Sequence, residues 1–69
     1  MIRLTIDRQL EKENITRYEL AKRTGIHYHI IDKYYKNKDT RYDSYVLDRV
    51  CAALGCCIAD ILVYEEKTL

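Results

Sequence analysis

Residues 16–36 read TRYELAKRTGIHYHIIDKYYK, and this stretch decides the fold. Thr16 suits a helix N-cap, and Glu19 three residues later completes a Thr-x-x-Glu capping box. From that start Leu20 and Ala21 face inward, and Ala21 is small where a second helix must cross closely. Gly25 falls where this helix should stop, because a left-handed residue there carries no Cβ penalty. Ile26 plugs the corner. Ile31 and Tyr34, three apart on a second helix, face the same core. A small residue, a glycine corner and an apolar pair at this spacing form a helix-turn-helix signature.

Outward from this unit, Ile2, Leu4 and Ile6 alternate with Arg3 and Thr5, the period-two pattern of a short strand. Ile6 and Leu10 then begin an amphipathic helix that ends near Asn14, a residue type that tolerates the left-handed conformation. Ile15 precedes the Thr16 cap as a hydrophobic staple. Residues 37–42 (NKDTRY) are polar and read as a loop. Asp43 is a plausible N-cap for a helix in which Val46, Leu47, Val50, Cys51 and Leu54 recur as far as Gly55. A last short helix is expected over residues 59–62. Val63 and Tyr64 are β-formers, and this end is expected to pair with residues 2–5, each segment covering the other's edge.

Sixty-nine residues allow one domain, near the size at which a core can stand without staples. Apolar content of 48% with 33% charged residues describes a globular chain rather than a disordered one. Proline is absent and glycine occurs only at 25 and 55, favouring helices with short turns. No apolar run reaches the roughly 20 residues of a membrane span, and the amino terminus does not read as a signal peptide, so a cytoplasmic location is expected. Net charge is only +1, but its distribution is uneven. Residues 17–41 hold Arg17, Lys22, Arg23, Lys33, Lys36, Lys38 and Arg41 against Glu19, Asp32 and Asp39, a local balance of +4. The remainder balances to −3. Positive charge therefore gathers on the helix-turn-helix.

The chain resembles the small Cro/CI-type (XRE-type) helix-turn-helix regulators. Arg17, Glu19, Leu20, Ala21, Gly25, Ile26, Ile31 and Tyr34 carry the resemblance. It continues through RYDSYVLDRVCAALGCCIADILVY, which is similar to that family's fourth and fifth helices, so it covers residues about 6 to 62. The resemblance implies a mainly α, five-helix repressor-like domain occupying residues 1–69, with the short terminal strands paired. It implies a small transcriptional regulator that binds double-stranded DNA sequence-specifically, with helix three, about residues 27–36, in the major groove. By position, Tyr28, His29 and Lys33 would read bases. Arg17, Lys36, Lys38 and Arg41 would contact phosphates, which position the protein without specifying sequence. The family often has Gln, Ser, Thr, Asn or Arg where Tyr28 and His29 stand, so the target sequence does not transfer. Tyr28 packing beside Tyr35 is the alternative for that residue. One module buries a limited area, so a homodimer on adjacent half-sites is expected, with Tyr45, Tyr64 and Leu69 as candidate interface residues.

Two other constellations compete for a role. His27 and His29 flank Tyr28, but residues two apart on a helix point about 200° apart, so no metal is expected there. His27 fits the N-cap region of helix three. Cys51, Cys56 and Cys57 could bind a soft metal or sense oxidants. Cys51 lies on an apolar helix stripe, however, and free cysteine commonly packs as a small hydrophobe, with Cys57 the most exposed. No catalytic constellation, phosphate-cradling glycine loop or small-molecule site is evident, so no enzyme and no cofactor is expected. The rival functions are a protein-interaction module of antitoxin or mobile-element accessory type, and a thiol- or metal-responsive regulator.

Overall fold

The computed structural model describes residues 1–38 and 41–66. Strand β1 (Ile2–Leu4) leads into helices α1 (Ile6–Glu13), α2 (Arg17–Thr24), α3 (Tyr28–Tyr35) and α4 (Ser44–Leu54). A single 3-10 turn (Ile58–Asp60) then leads to strand β2 (Leu62–Tyr64). The strands pair antiparallel with Ile2 opposite Tyr64, Arg3 opposite Val63 and Leu4 opposite Leu62. The two ends of the chain thus cover each other, as the alternation at the amino terminus and the β-formers near the carboxyl terminus predict.

Helix ends follow the local chemistry. Asn14, Gly25 and Gly55 all take the left-handed conformation, with φ of 56°, 73° and 61°. Asp43 Oδ1 accepts from the Tyr45 amide at 2.8 Å, capping α4. Thr16 Oγ1 accepts from the Glu19 amide at 3.1 Å. The reciprocal half of the expected capping box is replaced, because the Glu19 carboxylate accepts from Arg23 Nε at 2.9 Å, one turn along α2. At the corner after α2, buried Thr24 donates its hydroxyl to the Leu20 carbonyl at 2.9 Å and accepts from the Ile26 amide at 3.2 Å. That hydroxyl ties the last turn of α2 to the residue that leaves it.

Among the described residues four α-helices form, not five. The helix expected over residues 59–62 is only the turn at Ile58–Asp60, for two reasons. First, the carbonyls that would propagate a helix are engaged elsewhere. Thr5 donates its amide to the Ile61 oxygen at 2.7 Å and its hydroxyl to the Asp60 oxygen at 3.0 Å. Second, Leu62 must already be extended to pair with Leu4. The Cys57 amide donates to Asp60 Oδ2 at 2.9 Å, fixing the turn from its other end.

The core is Leu4, Ile6, Leu10, Leu20, Ile31, Tyr34, Val46, Val50, Leu54 and Ile61, with Ile15, Ala21, Ile26, Leu47, Cys51 and Cys56 packed around it. Tyr34 is buried to the ring but not without a partner: its hydroxyl accepts from the Asp43 amide at 2.9 Å, which positions the start of α4.

One contact in this frame spans 33 residues. Asn37, left-handed at φ 57° just after α3, presents its side-chain amide to the free edge of β1. Its Oδ1 accepts from the Leu4 amide at 2.6 Å and its Nδ2 donates to the Leu4 carbonyl at 3.0 Å. The side chain thus takes the place of a third strand at that residue. Asn37→Ala is therefore expected to leave both Leu4 groups unpaired and to cost about 1–3 kcal/mol, read from urea denaturation. An unchanged urea midpoint would mean that solvent satisfies this edge equally well.

Candidate nucleic-acid interface

Helix α3 presents two distinct rows outside the core. Ile31 and Tyr34 are buried, which anchors the helix along one side. His29, Lys33 and Lys36 are spaced by four and three residues and are all exposed, so they form one continuous solvent-facing row. Tyr28, Asp32 and Tyr35 have the same spacing and are half-buried. This second row is the seam against the start of α2.

Two contacts define the seam. The Tyr28 ring stacks on Tyr18 of α2, with centroids 4.2 Å apart and planes within 7°, rather than packing on Tyr35. Tyr18 itself is 70% exposed, so the pair reaches solvent. Beside it, the Arg17 guanidinium bonds Asp32 Oδ1 and lies 4.5 Å from the centre of the Tyr35 ring. The other oxygen of Asp32 pairs with Lys36 Nζ at 3.1 Å. The hydrogen bond from Lys36 holds the Asp32 carboxyl below its ordinary range, with Arg17 adding to it against partial burial. Asp32 therefore carries a full negative charge at neutral pH.

His29 and Lys33 stand on the open row of α3, and Tyr28 stands at its edge, shared with α2. Lys38 and Arg41 are exposed just beyond the helix. Arg17 and Lys36 are brought together, but through a shared carboxylate rather than as free cations. Tyr18 and Asp32 were not singled out for this surface by sequence reasoning. The available signal was the four-then-three spacing of Tyr28, Asp32 and Tyr35, which marks a second face of α3.

His27 and His29 lie with ring centres 5.8 Å apart. The 200° rule does not apply to them, because His27 precedes the helix with φ −55° and ψ 138°. Among the described residues no group of three His, Cys, Asp or Glu side chains is placed to hold a metal ion. All three cysteines are free thiols: Cys51 and Cys56 are half-buried and Cys57 is exposed. Burial pushes the Cys56 thiol up to about 11 from 9.0, with neighbouring Cys51 adding to the effect. A group whose folded pKa is raised favours the folded state below its ordinary value and loses that contribution as pH rises through the folded value. At pH 8 Cys56 is thus expected to be alkylated by iodoacetamide well after Cys57, with its rate climbing only as pH approaches the raised value. Equal labelling rates for the two at pH 8 would contradict this.

The crystal structure of a candidate DNA-binding protein from Bacteroides fragilis superposes with a TM-score of 0.80 at 21% identity, covering 91% of this chain and 100% of that one. At that identity the likeness is one of fold. No curated protein matches the sequence. The family profile of the Cro/C1-type HTH DNA-binding domain matches residues 5–67. With nearly the whole chain inside that match, and its helix-turn-helix at α2 and α3, the protein belongs to the Cro/C1-type helix-turn-helix DNA-binding domain family.

Proposed function

We propose that this protein binds double-stranded DNA sequence-specifically as a small transcriptional regulator, with α3 entering the major groove. The observation that carries the reading is the row His29, Lys33 and Lys36. Its residues are exposed, with Lys36 also paired to Asp32, on a helix whose opposite side is locked by Ile31 and Tyr34. A rigid helix with a polar outer row suits the major groove, which admits an α-helix and displays donors and acceptors at base edges. In this reading Lys33 donates to guanine O6 and N7, and His29 donates or accepts according to tautomer. Tyr28, steadied by Tyr18, meets a sugar or a thymine methyl at the near edge. Arg17, Lys36, Lys38 and Arg41 approach phosphates, with the exposed amides at the start of α2 aiding Arg17.

We further propose that two copies act together on adjacent half-sites in the cytoplasm, since one module of this size contacts few base pairs. Tyr45 and Tyr64, 54% and 73% exposed, are the candidate aromatic contacts between copies. Leu69, also named for that role, lies outside the described residues.

A net charge of +1 and the exposed apolar pair Ile2 and Tyr64 on the strands favour a second reading, a protein-interaction module on the same fold. Salt separates the two, because phosphate contacts must weaken steeply as salt rises.

Lys33→Ala is expected to cost about 1–3 kcal/mol on the preferred site and to relax the preference at one base position. Its effect on random duplex should be much smaller, since the phosphate contacts remain. Fluorescence anisotropy with a selected site and a random duplex measures both. Equal losses on the two would make Lys33 another phosphate contact. No loss on either would shift the balance to the interaction module.

A further inference from the structure

We propose that Asp32 holds down the DNA affinity of this interface by acting as an internal competitor of DNA phosphate for Arg17 and Lys36. The inference rests on the DNA-binding reading and extends it to a residue outside the expected contact set. Both oxygens of the carboxylate are engaged, one by Arg17 and the other by Lys36, so in the free protein the two cations already have an anion between them. The three groups together carry a net charge of +1, where Arg17 and Lys36 alone would carry +2. Asp32 stays ionised because those same partners stabilise its charged form.

The two cations are not held alike. Arg17 is gripped from two sides, by the carboxylate and by the face of Tyr35. Lys36 has a side chain 47% exposed and a single i,i+4 pair to give up, which is worth little in water. On approach to DNA, Lys36 exchanges its carboxylate for a phosphate, while Arg17 is shared between the two anions.

Each unit of cationic charge withheld from the phosphates lowers the number of counterions released on binding. That penalty falls on every duplex, whatever its sequence. It lowers the affinity for selected and random sites alike and leaves their ratio unchanged, so the carboxylate sets how tightly and how salt-dependently the interface binds, not which sequence it prefers.

The test is Asp32→Asn, with Asp32→Ser as a second neutral variant, titrated against a selected site and a random duplex over a range of salt. Removing the charge should steepen the salt slope by about one unit. One unit corresponds to roughly a tenfold gain in random-duplex affinity at 0.1 M relative to 1 M salt. The selected site should gain by a similar factor, leaving the preference between the two duplexes unchanged. In a background where Arg17 and Lys36 are both Gln, the gain should vanish, since nothing is left to compete for. Unchanged random-duplex affinity and slope would overturn the proposal. So would a gain that persists without the two cations, which would reduce Asp32 to simple repulsion. Weaker binding on both duplexes with unchanged thermal stability would also overturn it, because the carboxylate would then be positioning Arg17 for DNA. Failure of the parent protein to bind either duplex with a salt dependence would instead sink the DNA-binding reading itself.

Discussion

Six side chains are wholly withdrawn from solvent at the centre of this fold: Leu4, Ile6, Leu20, Ile31, Val50 and Ile61. Each comes from a different segment: β1, α1, α2, α3, α4 and the junction between the 3-10 turn and β2. No segment is long enough to persist by itself. Helices of eight residues are well below the length at which an isolated helix is stable in water, and a three-residue strand pair has no independent existence. Every element therefore depends on delivering one large apolar group to a shared point. The angle at which α3 meets solvent is a consequence of that packing, not a property of α3.

The polar contacts refine what the core sets. Thr24 fixes the exit from α2, Tyr34 fixes the entry to α4, and Asn37 fixes the free edge of β1. All three sit at the borders of the α2–α3 unit, so the unit is clamped at its corner and at its end. Between the clamps, α3 divides its exposed surface into an open row and a seam. The open row is free to meet a partner. The seam spends two aromatic rings and a carboxylate on holding α2 in place. A helix that must present groups at a defined angle benefits from this, because preorganised side chains lose less freedom on binding.

Much of the fold was legible in the residues. The caps at Asn14, Thr16, Gly25, Asp43 and Gly55 act locally, and local chemistry was enough to place the helix ends. The strand pairing followed from alternation at one end and β-formers at the other. Residues whose partners are remote were not legible. Asn37 read as loop because nothing near it in sequence announces the edge of β1. The fifth helix failed for the same reason, since Thr5 takes its carbonyls from 55 residues away. In the candidate site, the outward position of His29 and Lys33 followed from helical periodicity once Ile31 and Tyr34 were assigned to the core. The side facing α2 did not follow, because periodicity gives directions around one helix but not where a second helix lies. Tyr18 and Asp32 acquire their meaning only from that crossing.

The central claim is that α2 and α3 form one rigid unit whose open row meets duplex DNA. Titrating the isotope-labelled protein with a duplex and following backbone amide and side-chain NMR signals tests it most directly. The account predicts changes concentrated at Arg17, Tyr18, Tyr28, His29, Lys33, Lys36 and Lys38, weakening together as salt is raised, with the amides of Leu20, Ile31 and Val50 little affected. Changes concentrated instead on α4 and the strand pair, or a response indifferent to salt, would contradict it.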